Sequence, residues 1–180
     1  VTITGGAKFQ WTDRLAFAAD GTLYFELAGG STNALARITD LTTSNIVATV
    51  MGKVKDAGTE LDIQGADIAF DSGGTCYLWH KKAAPEGVYT FPQPTSPGDI
   101  SATYLGPGTT IAENYSVTGM AIRGCGLAGY PLVISDKKHD MIREVDVSTG
   151  DMGNSYPMYE DGSLFNHING DMTVGVLESP

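Results

Sequence analysis

The chain has 180 residues, of which 42% are hydrophobic and 18% are charged, a balance that indicates a folded globular protein and excludes extended disorder. It carries 11 Lys and Arg against 21 Asp and Glu, and this net charge of −10 disfavours nucleic acid and anionic lipid surfaces as partners. No apolar run approaches the roughly 20 residues of a membrane-spanning helix, so membrane insertion is not expected. The 23 glycines, with Val, Ile, Thr, Tyr and Phe spread along the chain, predict many short strands joined by tight turns.

Similar segments recur along the chain at a period of about 53 residues. They begin, at intervals of 53 and 52 residues, at Leu15, Ile68 and Met120. They end, at two intervals of 53 residues, at Tyr24, Tyr77 and Tyr130. A fourth start, Met172, follows after another 52 residues. Farther along each repeat, residues 37–43 match residues 143–149 at a separation of 106, twice 53.

Each repeat divides into four predicted strands. The first ends near Phe17, Phe70 or Ile122, and the second contains the recurring tyrosine. The third and fourth are predicted in the three repeats at 35–39 and 46–51, 88–91 and 100–105, and 141–145 and 155–159. No helical period is sustained, so the fold class is all-β. A four-stranded antiparallel unit that repeats at this length is typical of a β-propeller blade.

We therefore predict one domain over residues 1–180, formed by a propeller-type array of three blades. The blades are expected at about 12–55, 65–110 and 117–162, with a strand of a next blade at about 170–177.

Two segments carry a resemblance to a known group of proteins. DIAFDSGGTCYL (67–78) is similar to the blade opening of NHL-like and regucalcin-like β-propellers, and EVDVSTG (144–150) is similar to their third-strand turn. The resemblance covers nearly the whole chain and implies the propeller fold. Lactonases, receptors, adhesins and virion proteins share these motifs, so the resemblance implies no particular activity.

Three blades make an incomplete ring. Propellers close with about four to eight blades, and an arc of three leaves two apolar faces uncovered. The chain is therefore expected to be part of a longer parent chain or to be completed by another chain, for example two sets of three making six. We favour completion by another chain, in which the C-terminal strand adds to a neighbouring blade.

Three acids precede predicted first strands, and the starts of these strands share one face of a propeller: Asp13, Asp67 and Asp171. Carboxylates that converge at the mouth of a central channel can hold Ca²⁺. Alternatively, each Asp accepts backbone N–H bonds in a turn, which is the commoner use and the favoured interpretation. The resemblance to lactonases implies a divalent ion held by Glu, Asn and Asp, and this chain has no Asn at the matching positions.

Basic side chains concentrate in two predicted loops between second and third strands, formed by His80, Lys81 and Lys82 and by Lys137, Lys138 and His139. Such a face can bind an anionic partner, either an acidic protein or a glycan. The plainer interpretation is that lysine is well solvated in hairpin turns.

The two cysteines, Cys76 and Cys125, are 49 residues apart and do not form a metal-binding pattern. A disulfide between them and two separate thiols are both compatible with the sequence. Asn114-Tyr115-Ser116 is an N-glycosylation sequon.

No recognised catalytic motif accompanies the repeats, and no cofactor other than Ca²⁺ is implied. We therefore expect a non-enzymatic structural or adhesive module of an extracellular assembly, or of a particle or cell surface, that self-associates through blade edges. The alternatives are a calcium-dependent hydrolase or lactonase of the six-bladed type and a glycan-binding, lectin-like propeller.

Overall fold

The computed structural model describes residues 2–4, 14–27, 33–63, 66–80, 85–106, 117–122, 132–160 and 163–164. All regular structure within these ranges is β-strand, and they contain no helix. The all-β class expected from the sequence is confirmed. Three of the sheets each contain four consecutive antiparallel strands, and we call these sheets units 1, 2 and 3.

Unit 1 is a five-stranded sheet in the order β1-β5-β4-β3-β2. Its strands are β1 (Thr2–Thr4), β2 (Leu15–Phe17), β3 (Leu23–Leu27), β4 (Ala34–Ile38) and β5 (Val47–Gly52). Strands β2 to β5 form an antiparallel meander. The remaining strand, β1, pairs in parallel with β5 at the outer edge of the sheet.

Unit 2 is a six-stranded sheet in the order β7-β6-β11-β10-β9-β8. Its strands are β6 (Val54–Asp56), β7 (Thr59–Glu60), β8 (Asp67–Phe70), β9 (Thr75–His80), β10 (Gly87–Pro92) and β11 (Ile100–Gly106). The meander β8 to β11 repeats that of unit 1. At its edge β6 pairs in parallel with β11 and forms a hairpin with β7.

Unit 3 contains β12 (Val117–Ile122), β13 (Leu132–Asp136), β14 (Met141–Val145) and β15 (Met152–Pro157), paired in this order. A separate hairpin follows, formed by β16 (Tyr159–Glu160) and β17 (Ser163–Leu164). The fourth strand of this unit begins three residues earlier than the predicted 155–159 and ends two residues earlier.

Aspartates close several of the hairpins by accepting hydrogen bonds from the chain that follows them. Asp40 accepts from the backbone N–H of Thr42 at 2.8 Å and from its hydroxyl at 2.6 Å. Asp146 accepts the same pair of bonds from Ser148 at 2.7 and 2.6 Å. These turns explain the recurrence of Asp-x-Ser/Thr after the third strand. The hydroxyl bonds, followed by the backbone bonds, lower the pKa of both carboxyl groups.

The units pack against one another in chain order, and the two main hydrophobic cores lie between them. Tyr24 and Met51 of unit 1 share one core with Leu78 of unit 2. Trp79 of unit 2 shares the second core with Ile134 of unit 3. The first strands β2, β8 and β12 lie beside one another. Each pair of neighbouring units therefore shares a core, as in repeat proteins, and a smaller third core lies within unit 1.

The strand-pairing register shows that the third tyrosine of the predicted repeat, Tyr130, is not equivalent to Tyr24 and Tyr77. The first hairpin of each unit closes on an equivalent pair: Phe17 with Leu23, Phe70 with Cys76, and Ile122 with Leu132. The residues that follow Leu23, Cys76 and Leu132 are Tyr24, Tyr77 and Val133, respectively. Tyr130 is therefore not the counterpart of the other two tyrosines and lies outside the described residues.

A similar correction applies to the third strands. Ile38 pairs with Leu23, and Val145 pairs with Leu132, so Ile38 corresponds to Val145. Arg37 then corresponds to Glu144 rather than to Arg143. A shift of one residue reverses the face of a strand, so the two arginines point to opposite faces of their sheets.

Candidate functional site: junctions and end faces of the array

Neighbouring units approach closely where the fourth strand of one unit meets the turn before the fourth strand of the next. The N–H of Gly98 donates to the carbonyl oxygen of Met51 at 2.6 Å. A Cβ atom on Gly52 would lie 1.8 Å from the carbonyl oxygen of Gly98, so only glycine fits. At the next junction a Cβ atom on Gly150 would lie 2.6 Å from the Cα atom of Gly106. The same glycine contact therefore joins unit 1 to unit 2 and unit 2 to unit 3.

The segment that follows β10 adds polar contacts to the first junction. The hydroxyl of Tyr24 donates to the carbonyl oxygen of Pro94 at 2.7 Å, and Nη1 of Arg37 donates to the same oxygen at 3.4 Å. Nε2 of Gln93 donates to Oδ2 of Asp20 at 2.9 Å. These three bonds connect unit 1 to unit 2.

Tyr77 and Tyr89 are buried in the two junction cores. Burial is the main cause that raises the pKa of each hydroxyl to about 12, with smaller contributions from Asp71 beside Tyr77 and from Asp56 near Tyr89. The hydroxyl of Tyr77 donates to Oδ2 of Asp71 at 3.3 Å. The hydroxyl of Tyr89 donates to the carbonyl oxygen of Pro85 at 2.8 Å, so both hydroxyls are protonated donors and both bonds lie within unit 2.

The end face of unit 1 is apolar and part of it is exposed. Leu15 and Phe17 lie in the first strand on the same face as the buried Phe25, and their side chains are 46% and 56% exposed. The ladder register makes Ile68 and Met120 the counterparts of Leu15, and these are 3% and 2% exposed. A preceding unit covers this position in units 2 and 3, whereas unit 1 leaves it open.

The other end of the array also exposes apolar side chains. Tyr156, Met158 and Tyr159 are 46%, 36% and 65% exposed. Tyr156 pairs with Ile142 in the ladder, as Gly52 pairs with Leu35. Unit 3 thus carries a tyrosine where unit 1 carries the glycine that contacts the next unit.

Of the three acids predicted to lie at one mouth of a channel, only Asp67 is among the described residues, and the ring of carboxylates stays a prediction. Asp67 is 1% exposed; one of its carboxylate oxygens accepts the N–H of Ile68 at 3.0 Å and lies 3.9 Å from Nε of Arg14. The position equivalent to Asp67 is Arg14 in unit 1 and Gly119 in unit 3, because each lies one residue before the equivalent residues of the first strand. Asp13 precedes Arg14 and, like Asp171, lies outside the described residues. Within the described ranges, no group of three His, Cys, Asp or Glu side chains is placed to hold a metal ion.

The two basic loops differ in the structure. Lys137 and Lys138 are exposed in the turn between β13 and β14. His139 in this turn is bound through Nδ1 to the buried carboxylate of Asp136, which also accepts a bond from Nε of Arg143 at 3.0 Å. This carboxylate holds the turn in place while the two lysine side chains reach solvent.

In the middle repeat, His80 is not part of an exposed loop. It is the last residue of β9, has no exposed surface, and packs edge-on against Tyr89 with ring centroids 5.8 Å apart. An external anion therefore has no access to this ring. Lys81 and Lys82 lie outside the described residues.

Cys76 is a buried free thiol, so it does not form the disulfide that the sequence left open. Burial raises the pKa of this thiol, which opposes reactivity at neutral pH. Its predicted partner Cys125 and the sequon residue Asn114 lie outside the described residues.

Sequence reasoning missed the contacts that join the units. The glycine pairs were visible as a spacing, since Gly52 and Gly106 are 54 residues apart and Gly98 and Gly150 are 52 apart. The strand β6 was missed because its alternation is short and its polar residues resemble a loop.

In comparisons with protein-family models and with curated proteins, no family and no curated relative matches the chain. In the part of the chain that the structure describes, no helix has the length and apolar character needed to span a membrane.

Proposed function

We propose that the chain is a structural module, an array of three propeller-type blades that associates with further blades through the end face of unit 1. The observation that carries this proposal is the exposure of Leu15 at 46%, against 3% and 2% for its counterparts Ile68 and Met120. An apolar position that is buried in every internal junction and open at one end favours a docking surface.

The propeller-type arrangement is supported by three features of the described units. Each contains a four-stranded antiparallel meander, the meanders pack face to face in chain order, and their first strands lie side by side. Propeller blades pack in this way around a central axis. Three blades leave end faces that further blades cover, and a second array of three would complete a ring of six.

The partner is accordingly another chain with the same blade type, and the simplest is a second copy. The role is assembly or adhesion without catalysis, in an extracellular structure or on a particle or cell surface; this location stays a prediction from the sequence. The calcium-dependent hydrolase and the glycan-binding lectin also stay predictions.

The test compares two single substitutions that add the same charge. Phe17→Lys alters the end face, whereas Leu41→Lys alters a turn residue of unit 1 that is 42% exposed. We expect Phe17→Lys to weaken self-association about tenfold, because a charge at an apolar contact costs at least about 1.4 kcal/mol. Leu41→Lys should leave the dissociation constant unchanged. Light scattering over a concentration series measures both, and equal effects of the two substitutions would contradict the proposal.

A further inference from the structure

The outer edge of unit 1 is closed by the N-terminal strand of the chain itself. The parallel register between β1 and β5 places Thr2 opposite Val47, Ile3 opposite Ala48 and Thr4 opposite Thr49. These are main-chain hydrogen bonds at a sheet edge, a position that an extended segment of another chain can also occupy.

In unit 2 the same edge is closed by a segment that arrives from the preceding unit. The register places Val54 opposite Ile100, Lys55 opposite Ser101 and Asp56 opposite Ala102. The fourth strands align because Gly52 and Gly106 hold equivalent ladder positions, so Val47 corresponds to Ser101. Strand β1 therefore fills in unit 1 the position that the linking strand β6 fills in unit 2.

The chain carries another segment of this kind after unit 3. In the hairpin of β16 and β17, Tyr159 lies opposite Leu164 and Glu160 opposite Ser163. In the hairpin of β6 and β7, Lys55 lies opposite Glu60 and Asp56 opposite Thr59. The two hairpins are 104 residues apart, twice 52.

The two hairpins differ in the pairing of their first strands, β6 and β16, on the side away from the hairpin partner. Strand β6 has β11 on that edge, whereas β16 pairs only with β17 among the described strands. Met158 is 36% exposed, while its counterpart Val54 is 1% exposed and belongs to the junction core. Among the described strands, the segment 158–160 therefore has the form of a linking strand but is not paired with the fourth strand of another unit.

We propose that the outer edge of unit 1 is a strand-acceptor site for the segment 158–160 of a second copy, and that β1 is an exchangeable plug of this site. The inference rests on the proposed function, because it names the element through which a second copy docks. The pairing of β6 with β11 identifies the occupant. The acceptor strand β5 is the counterpart of β11, and the segment 158–160 is the counterpart of β6.

Exchange replaces one parallel three-residue ladder with another, so the number of main-chain hydrogen bonds is conserved. In a single chain β1 is favoured because it is tethered to the sheet and its effective concentration is high. Tyr156 stands where Gly52 makes its close contact, so the glycine contact is not reproduced between copies. The pairing of the segment 158–160 of one copy with β5 of the other then has to connect the two copies at this edge.

The experiment measures binding of a labelled peptide of residues 156–164 to the full chain and to a variant that lacks residues 1–4. We expect at least tenfold tighter binding to the trimmed variant, and competition by a peptide of residues 1–5. A control peptide with Met158→Pro and Tyr159→Pro should not bind, because proline removes the N–H groups that pair. Ile3→Pro in the full-length chain is a second variant that weakens β1 without shortening the chain, and it should also bind the peptide more tightly.

Equal binding of the peptide to the full, trimmed and Ile3→Pro forms would contradict the claim that β1 occupies the acceptor site. Absence of binding to either variant, with its native circular dichroism retained, would overturn the acceptor site. If the variants bind the peptide but neither they nor the full chain self-associate, the strand-acceptor site stands and the proposed function fails.

Discussion

Tyr77 and Tyr89 are the residues whose titration reports on the junction cores. Their ordinary pKa of 10.0 is raised to about 12 in the folded chain, mainly by burial. The raised pKa means that folding favours the protonated hydroxyl. The stability linked to these groups is therefore fully present below about pH 10 and is lost as the pH rises from about 10 to about 12.

We predict that the free energy of unfolding falls over this alkaline interval, together with an increase in tyrosinate absorbance. Tyr77→Phe and Tyr89→Phe should each make the fall smaller, because each removes one group whose ionisation opposes folding. Denaturant unfolding at a series of pH values measures the effect. A stability that is constant across the interval in the unaltered chain would show that these hydroxyls are not held protonated by the junctions.

At the residue scale, strands could be predicted more reliably than equivalences between repeats. Short runs rich in apolar and aromatic residues, 76–79 and 88–91, identify β9 and β10 directly. The alignment on Tyr130 was wrong because nine residues separate β12 from β13, whereas four separate β8 from β9. Hydrogen-bond register decides such equivalences, and similarity of single residues does not.

At the scale of the elements, the contact of Gly52 in β5 with Gly98 in the turn before β11 is the feature that a single substitution tests most directly. Gly52 and Gly58 both have positive φ, at +145° and +84°, but only Gly52 has backbone atoms of another unit within 4 Å of an added Cβ. We predict that Gly52→Ala lowers the free energy of unfolding by about 3 kcal/mol or more, from overpacking added to backbone strain.

The matched control is Gly58→Ala, which should cost only about 1 kcal/mol of backbone strain, because its Cβ would meet no other atom. Urea unfolding gives both values. Similar losses for the two variants would mean that the close approach of Gly52 to Gly98 does not determine how the units pack.

The polar site residues could be predicted only in part, because their roles depend on which unit lies beside them. Asp67 was recognised at the start of a first strand, yet Arg14 in the neighbouring unit determines its surroundings, and their 3.9 Å approach crosses a junction. The sequence predicts His80 in a basic loop, but strand β9 extends as far as His80, which is therefore buried. Sequence spacing places such residues along the chain and carries no information on the neighbouring sheet.

At the scale of the whole molecule, the sequence predicted the all-β class and three repeated units, because short apolar runs, turn residues and their recurrence are visible along the chain. The parallel pairing of β1 with β5 could not be predicted, since it joins residues 45 apart with no pattern in the linking segment. The exposure of Leu15, beside the buried Phe25 on the same face, depends on which segments pack on unit 1, and the local sequence does not encode this.

The mass of the unaltered chain in solution tests the central claim most directly. Sedimentation velocity over a range of concentrations should show a shift from the 19.0 kDa of one chain toward twice that mass. The shift should be reduced in the Phe17→Lys variant, as expected if the end face of unit 1 forms the contact. A mass of 19.0 kDa at every concentration would contradict self-association of this array.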